Sequence, residues 1–208
     1  VPRFNSIRLG ADHTQGLTFG KPTPFACVAD NDLAVGLLVE HLSESPIWKE
    51  SAVFVIEDDA QNGPDHVDAH RCNALVISPY TKRKYVDHTM YSTSGMLRTM
   101  ELILGLPPMS QYDAAATPMW RSFTSEPNIA TFKSVPCNID LNEVNKVRNV
   151  VESLSAKLDF SDVDKIDDNL FNEILWKGIK GETAQVPAPR RSAFVKSIDN
   201  NDKADSND

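Results

Sequence analysis

The sequence predicts an α/β fold: part of a mostly parallel sheet covered by helices, followed by a helical C-terminal segment. Two short runs, residues 52–56 and 74–77 with Ser78 closing the second, are apolar and carry β-branched side chains. Runs of that kind read as strands buried on both faces, inside a sheet that helices cover. Helical periodicity precedes the first run and follows the second, the alternation expected of an α/β layer. Three strands at most are few for such a sheet. The chain, which opens at Val1, is therefore expected to be the C-terminal portion of a larger catalytic domain.

Taken in order, residues 4–9 alternate loosely and read as a short strand, stopped by Gly10. A loop punctuated by Gly and Pro follows. Asp30 or Asn31 then caps a helix on which Leu33, Leu37, Leu38 and Leu42 share a face, and Pro46 ends it. After the strand at 74–78, stopped by Pro79, comes a polar loop holding Lys82, Arg83 and Lys84, read as a solvated loop. Ser92 or Thr93 caps a helix lined by Met96, Leu97, Met100 and Leu104, which Gly105 and Pro107-Pro108 terminate. Residues 144–158 and 167–179 read as two further helices. From Glu182 the sequence turns to Pro, Ser, Asn and Asp, too polar to order itself. Three regions follow: 1–125 for the catalytic portion, 126–181 for a helical extension, and 182–208 for a disordered tail.

Bulk composition narrows the function classes. The chain has 208 residues, 41% of them hydrophobic, and a net charge of -8. Its mean hydropathy is -0.32. It can bury a core, and no apolar run has the length of a membrane span. The acidic balance argues against nonspecific nucleic-acid binding, which needs basic surface. Cys27, Cys72 and Cys137 lack metal-type spacing and read as small buried hydrophobes.

The chemistry concentrates after the first buried strand. Glu57, Asp58 and Asp59 follow it directly, and the next loop carries Asp65, His66, Asp68 and His70. Carboxylates just past a strand end sit where open α/β sheets bind ligands. Asp58 and Asp59 are adjacent anions whose mutual repulsion a bound divalent cation would relieve. Gly63-Pro64 turns the chain so that Asp65 and His66 come back toward the strand end. His66 is placed to ligate metal, contact a phosphoryl oxygen or donate a proton; His70 is a further metal-ligand candidate. His13 follows the residue 4–9 strand, with Asp12 beside it as an orienting group. Asp87-His88 reads as a helix-entry loop. Nucleophile-elbow, Walker and dinucleotide-binding motifs are all absent from the sequence.

These segments resemble a family. Residues 56–67, IEDDAQNGPDHV, are similar to the phosphoesterase family that contains bacterial phospholipases C and acid phosphatases, within the alkaline-phosphatase superfamily. Residues 45–48 (SPIW), 74–79 (ALVISP), 86–89 (VDHT) and 97–108 (LRTMELILGLPP) follow in family order. The likeness covers residues 5–125 and leans to a bacterial branch sometimes fused to an N-terminal β-propeller; residues 158–181 also look like that branch. The resemblance implies a metal-dependent hydrolase of phosphoric esters, acting on a phosphate-ester small molecule or a phospholipid headgroup. It places metal on Asp58 and Asp59, where the family usually has Asp-Glu, and matches the family's Asp-His to Asp65-His66. It gives His13 and His66 catalytic roles at the phosphoryl group, with a looser counterpart for His70 among metal-binding histidines. The cation is Zn²⁺, Mn²⁺ or Ca²⁺. The family's Ser or Thr nucleophile and first metal-binding acid lie upstream of everything seen here. A phosphoglycerate-mutase-like or sulfatase-like activity, or a non-catalytic module that keeps the fold, are the alternatives. Related proteins are often exported, which leans toward a periplasmic or secreted location.

Overall fold

The computed structural model describes residues 2–10, 13–162 and 165–191. The fold is mixed α/β, with five α-helices and one small sheet among the described residues. It divides into two compact units. The first takes in the described residues of Val1–Leu9, Leu33–Ile56 and Ala74–Pro136; the second, those of Gly10–Asp32, Glu57–Asn73 and Cys137–Asp208.

The expected mostly parallel sheet is corrected by the strand pairing. β1 (Val53–Ile56) and β2 (Ala74–Ile77) form a two-stranded antiparallel sheet, with Val53 opposite Ile77 and Ile56 opposite Ala74. A parallel pair needs a crossover that returns the chain to the starting edge, usually a helix. Residues 57–73 contain no helix; they are a turn-rich loop that doubles back, and Glu57 N–H donates to the Asn73 carbonyl just beyond the strands. The strands are also less buried than their apolar run implied: Leu75 is exposed, and β1 is only half-buried before Ile56. Residues 4–9 form no strand, and Phe4 and Ile7 stand exposed. Alternation alone makes no strand without a neighbour to complete its ladder.

In the first unit, Val39, Trp48, Met96 and Met119 are the buried apolar side chains. Trp48 meets Phe132 edge-on at 6.0 Å between ring centroids, and the Arg83 guanidinium lies 4.0 Å over the same Phe132 ring. Arg83 Nη2 also donates to the carbonyls of Asn128 and Ala130, each at 3.2 Å. α1 (Pro24–Glu44), of which residues 33–44 belong to this unit and 24–32 to the second, starts earlier than the expected Asp30 or Asn31 cap, because Thr23 Oγ1 accepts from Ala26 N–H at 3.1 Å and Pro24 suits a first helical position. Its last turns hold the 132–134 stretch in place: Ser43 Oγ accepts from Phe132 N–H at 2.9 Å, and Glu40 accepts from Ser134 N–H at 3.0 Å. Glu40 also accepts from the Ser134 hydroxyl and pairs with Lys133. The Ser134 hydroxyl and amide, then Lys133, draw the Glu40 carboxyl down to about 2.

α2 (Thr93–Leu104) follows expectation. Ser92 Oγ accepts from Gly95 N–H, Gly105 takes the left-handed conformation at φ 70°, and Leu106 N–H closes onto the Glu101 carbonyl at 2.8 Å. α3 (Gln111–Ala115) is capped by Ser110 and was not foreseen.

In the second unit, the helix expected over residues 144–158 is reduced to α4 (Val150–Ser155). The stretch before it is extended, since Gly20 N–H donates to Asn145, Asn145 N–H to Lys21 and Thr23 N–H to Glu143, with Pro22 and Val144 bridged. α5 (Asp168–Lys180), capped by Asp167 and closed at Gly181, matches the expected 167–179. Val151 and Ile174 are the buried apolar side chains of α4 and α5, with the Ser155 hydroxyl fully buried beside them. Residues 182–191 are without helix or strand, and Ala69 N–H donates to the Arg190 carbonyl at 2.6 Å. The rest of the expected tail, residues 192–208, lies outside the described residues.

Asp87 ties the loop before α2 to residue 122. Burial pushes its carboxyl up, but the Thr89 amide and hydroxyl, the Tyr91 hydroxyl and the Ser122 hydroxyl together bring it down to about 2, from an ordinary 3.8. A carboxyl lowered on folding stabilises the protein above its ordinary value, and that share is lost as pH falls through the folded value. Chemical denaturation across this range is expected to show stability falling between pH 3.8 and about 2. Asp87→Asn flattens that part of the slope, and Tyr91→Phe, by removing a donor, moves the loss to higher pH.

Candidate functional site

All five sequence-predicted site residues fall in the second unit, on two loops. Asp58 and Asp59 stand exposed just beyond β1. Asp59 is gripped by one neighbour: Gln61 N–H donates to its Oδ1 at 3.1 Å and Gln61 Nε2 to its Oδ2 at 2.8 Å. The turn that allows this is strained. Gln61 and Asn62 both have positive φ, 53° and 55°, a region that costs a non-glycine residue about 1 kcal/mol or more.

Further along, the acids are already committed. Asp65 Oδ1 accepts from Val67 N–H at 2.6 Å and Asp68 N–H at 3.1 Å, while its Oδ2 takes both Arg71 Nε and Nη2. The Val67 amide lowers the Asp65 carboxyl, against its partial burial, and Arg71 and the Asp68 amide assist. Asp68 is buried, and its Oδ1 accepts from both the backbone N–H and Nδ1 of His70, each at 2.9 Å. A carboxylate on Nδ1 makes that nitrogen the protonated one and leaves Nε2 with the lone pair. The His66 side chain is 83% exposed, with Nδ1 4.0 Å from Asp65 Oδ1, so its ring is accessible to a ligand.

His13 is exposed as well. Its expected orienting partner, Asp12, lies outside the described residues. The loop after His13 is shaped by the C-terminal segment. Asn145 Nδ2 donates to the carbonyls of Gly16, Thr18 and Pro22 at 3.0–3.3 Å. Ser155 Oγ accepts from Leu17 N–H at 2.9 Å and Glu152 Oε1 from Phe19 N–H at 3.2 Å. Gly16, at φ 58°, leaves no room for a side chain: a Cβ there would stand 2.5 Å from Ser155 Oγ.

Among the described residues, no three His, Cys, Asp or Glu side chains converge closely enough to hold a metal ion. The structure therefore brings together His70 with Asp68, and Asp59 with Gln61, without closing a cation cage. Asp87-His88 belongs to the first unit, where Asp87 is taken up by Thr89, Tyr91 and Ser122, the structural role expected of it.

The Phosphoesterase family model matches residues 23–107. That span takes in α1, both strands and α2 together with Asp58, Asp59, His66 and His70, and it excludes His13, α4 and α5. At the level of the family, the Phosphoesterase match supports a hydrolase acting on phosphoesters. No curated protein matches the chain. Among the described residues, no helix is long and apolar enough to cross a membrane.

Sequence reasoning missed Asn145, Ser155 and Asn172 as the groups that shape the loops. For Ser155 and Asn172 the trace is composition: Ser and Asn are weak helix formers, so their presence inside α4 and α5 points to a tertiary partner, whereas Asn145 precedes α4. The Asp68 contact predicts a tautomer. Imidazole ¹⁵N shifts are expected to show His70 carrying its proton on Nδ1, and Asp68→Ala to return the ring to the ordinary preference for protonated Nε2.

Proposed function

We propose that the chain contributes part of the catalytic centre of a metal-dependent phosphoesterase, of the phospholipase C and acid phosphatase type within the alkaline-phosphatase superfamily. The family match across residues 23–107 carries this reading, because it spans the acidic pair and both loop histidines. A phosphate ester is anionic, and the loop after β1 carries Glu57, Asp58, Asp59, Asp65 and Asp68. Carboxylates beside a phosphoryl group repel it unless a cation intervenes, which is the physical reason for metal dependence.

Asp58 and Asp59 contribute carboxylates to a Zn²⁺, Mn²⁺ or Ca²⁺ ion. A divalent cation held by so few protein groups would complete its coordination with water and substrate phosphate oxygens, as Mg²⁺ does. The lone pair on His70 Nε2, oriented by Asp68, adds a nitrogen donor. Such an ion, when bound, polarises the phosphoryl oxygens. His66, with its ring open to solvent, and His13 donate hydrogen bonds to the phosphoryl group or a proton to the leaving oxygen. The nucleophile in this reading is a Ser or Thr outside these 208 residues. The substrate is a phosphate-ester small molecule or a phospholipid headgroup.

The test pairs calorimetric titration of Mn²⁺, Zn²⁺ and Ca²⁺ with hydrolysis of p-nitrophenyl phosphate by the full-length gene product. Expected are cation binding and metal-stimulated hydrolysis in the wild type, with both lost in Asp58→Ala/Asp59→Ala. His66→Ala is expected to keep cation binding and lose about a hundredfold or more in rate. A wild-type protein that neither binds cation nor hydrolyses the ester overturns the reading.

A further inference from the structure

The Gln61–Asn62 turn cannot hold itself. Two consecutive residues with side chains sit in the left-handed region, which favours glycine, and only the second is an asparagine, the residue that tolerates it best. An outside group must favour this conformation over the relaxed ones, and α5 supplies it. Asn172 Nδ2 donates to the Gln61 carbonyl at 2.6 Å, and Asn62 Nδ2 donates in turn to Asp168 Oδ2 at 3.4 Å. Gly63 completes the approach: a Cβ there would stand 2.9 Å from Asn172 Oδ1, so the turn lies directly against the Asn172 amide.

The same residue that Asn172 holds by its carbonyl is the one whose N–H and Nε2 grip both oxygens of Asp59. We infer that Asn172 is a positioning residue for the Asp59 carboxylate, acting through the Gln61 turn; its functional meaning rests on the proposed role of Asp59 in a phosphoester site. α5 is a firm base for this. Phe171, next to Asn172, packs edge-on against Phe160 at 5.7 Å, and Gly178 lets Leu17 close on the helix. The helix that carries Asn172 lies outside the matched residues 23–107, so the geometry of an acid within the match is set by a segment beyond it.

The experiment follows amide resonances and hydrogen exchange of Gln61 in the full chain, for wild type, Asn172→Ala and Asn172→Ala/Asn62→Gly, with Mn²⁺ affinity measured on each. Asn172→Ala is expected to speed exchange of the Gln61 backbone amide about tenfold and to shift its Nε2 resonances toward those of a free side chain. The α5 amides, Ile174 among them, keep wild-type protection, and Mn²⁺ affinity falls with the loss at Gln61. Glycine at position 62 relieves part of the strain and restores part of both signals, which a general loosening of α5 would not allow. Unchanged Gln61 signals in Asn172→Ala overturn the inference, as does joint loss of protection along α5 with no rescue. A wild type that binds no Mn²⁺ defeats the functional reading by itself, while the Gln61 signals still decide whether Asn172 sets Asp59.

Discussion

A loop without a ladder holds its shape only if other groups satisfy its backbone, and in the second unit side chains of the C-terminal segment do so. Asn145 alone donates to three carbonyls of the loop after His13, Ser155 and Glu152 accept two of its N–H groups, and Asn172 donates to the Gln61 carbonyl. Backbone polar groups that lose water must find such partners. Both loops bearing candidate residues are tied in this way, and the Arg190 backbone carbonyl adds a further tie to the second at Ala69 N–H. The placement of the candidate residues depends on these few polar contacts more than on apolar packing, since Val151 and Ile174 are the only large buried apolar side chains described in α4 and α5.

The acids that cluster in sequence are separated in chemistry by their partners. Asp65 answers to Arg71 and two amides, Asp68 to His70, and Asp59 to Gln61. Each pairing neutralises or orients a charge that would otherwise repel its neighbours. What this leaves exposed is a smaller set: the Asp58 carboxylate, the Asp59 carboxylate oriented by Gln61, the His66 ring, and the second nitrogen of His70. That set suits an anionic ligand approached through a cation better than a cage built from protein alone.

The family match and the loop-shaping segment divide the labour along the chain. Residues 23–107 carry the acids and histidines, while Asn145, Ser155 and Asn172 lie beyond them. A sequence that kept the matched span and lost α5 would keep the chemistry-bearing residues and lose the contact that bends Gln61 onto Asp59.

The sequence by itself determined what local chemistry decides. Ser92 and Gly105 bounded α2, and Asp167 and Gly181 bounded α5, because caps act within a turn of the residues they serve. The loop of acids and histidines after β1 was legible for the same reason: its composition is local. Strand direction was not, since residues 52–56 and 74–78 look alike whether paired parallel or antiparallel, and only the path of residues 57–73 chooses. The start of α4 at Val150 was likewise hidden, because residues 143–145 are drawn out of a helix by partners at 20–23. Nor does sequence spacing reveal that Asn172 reaches Gln61: the two lie 111 positions apart in the chain, and tertiary structure alone brings them within hydrogen-bond distance.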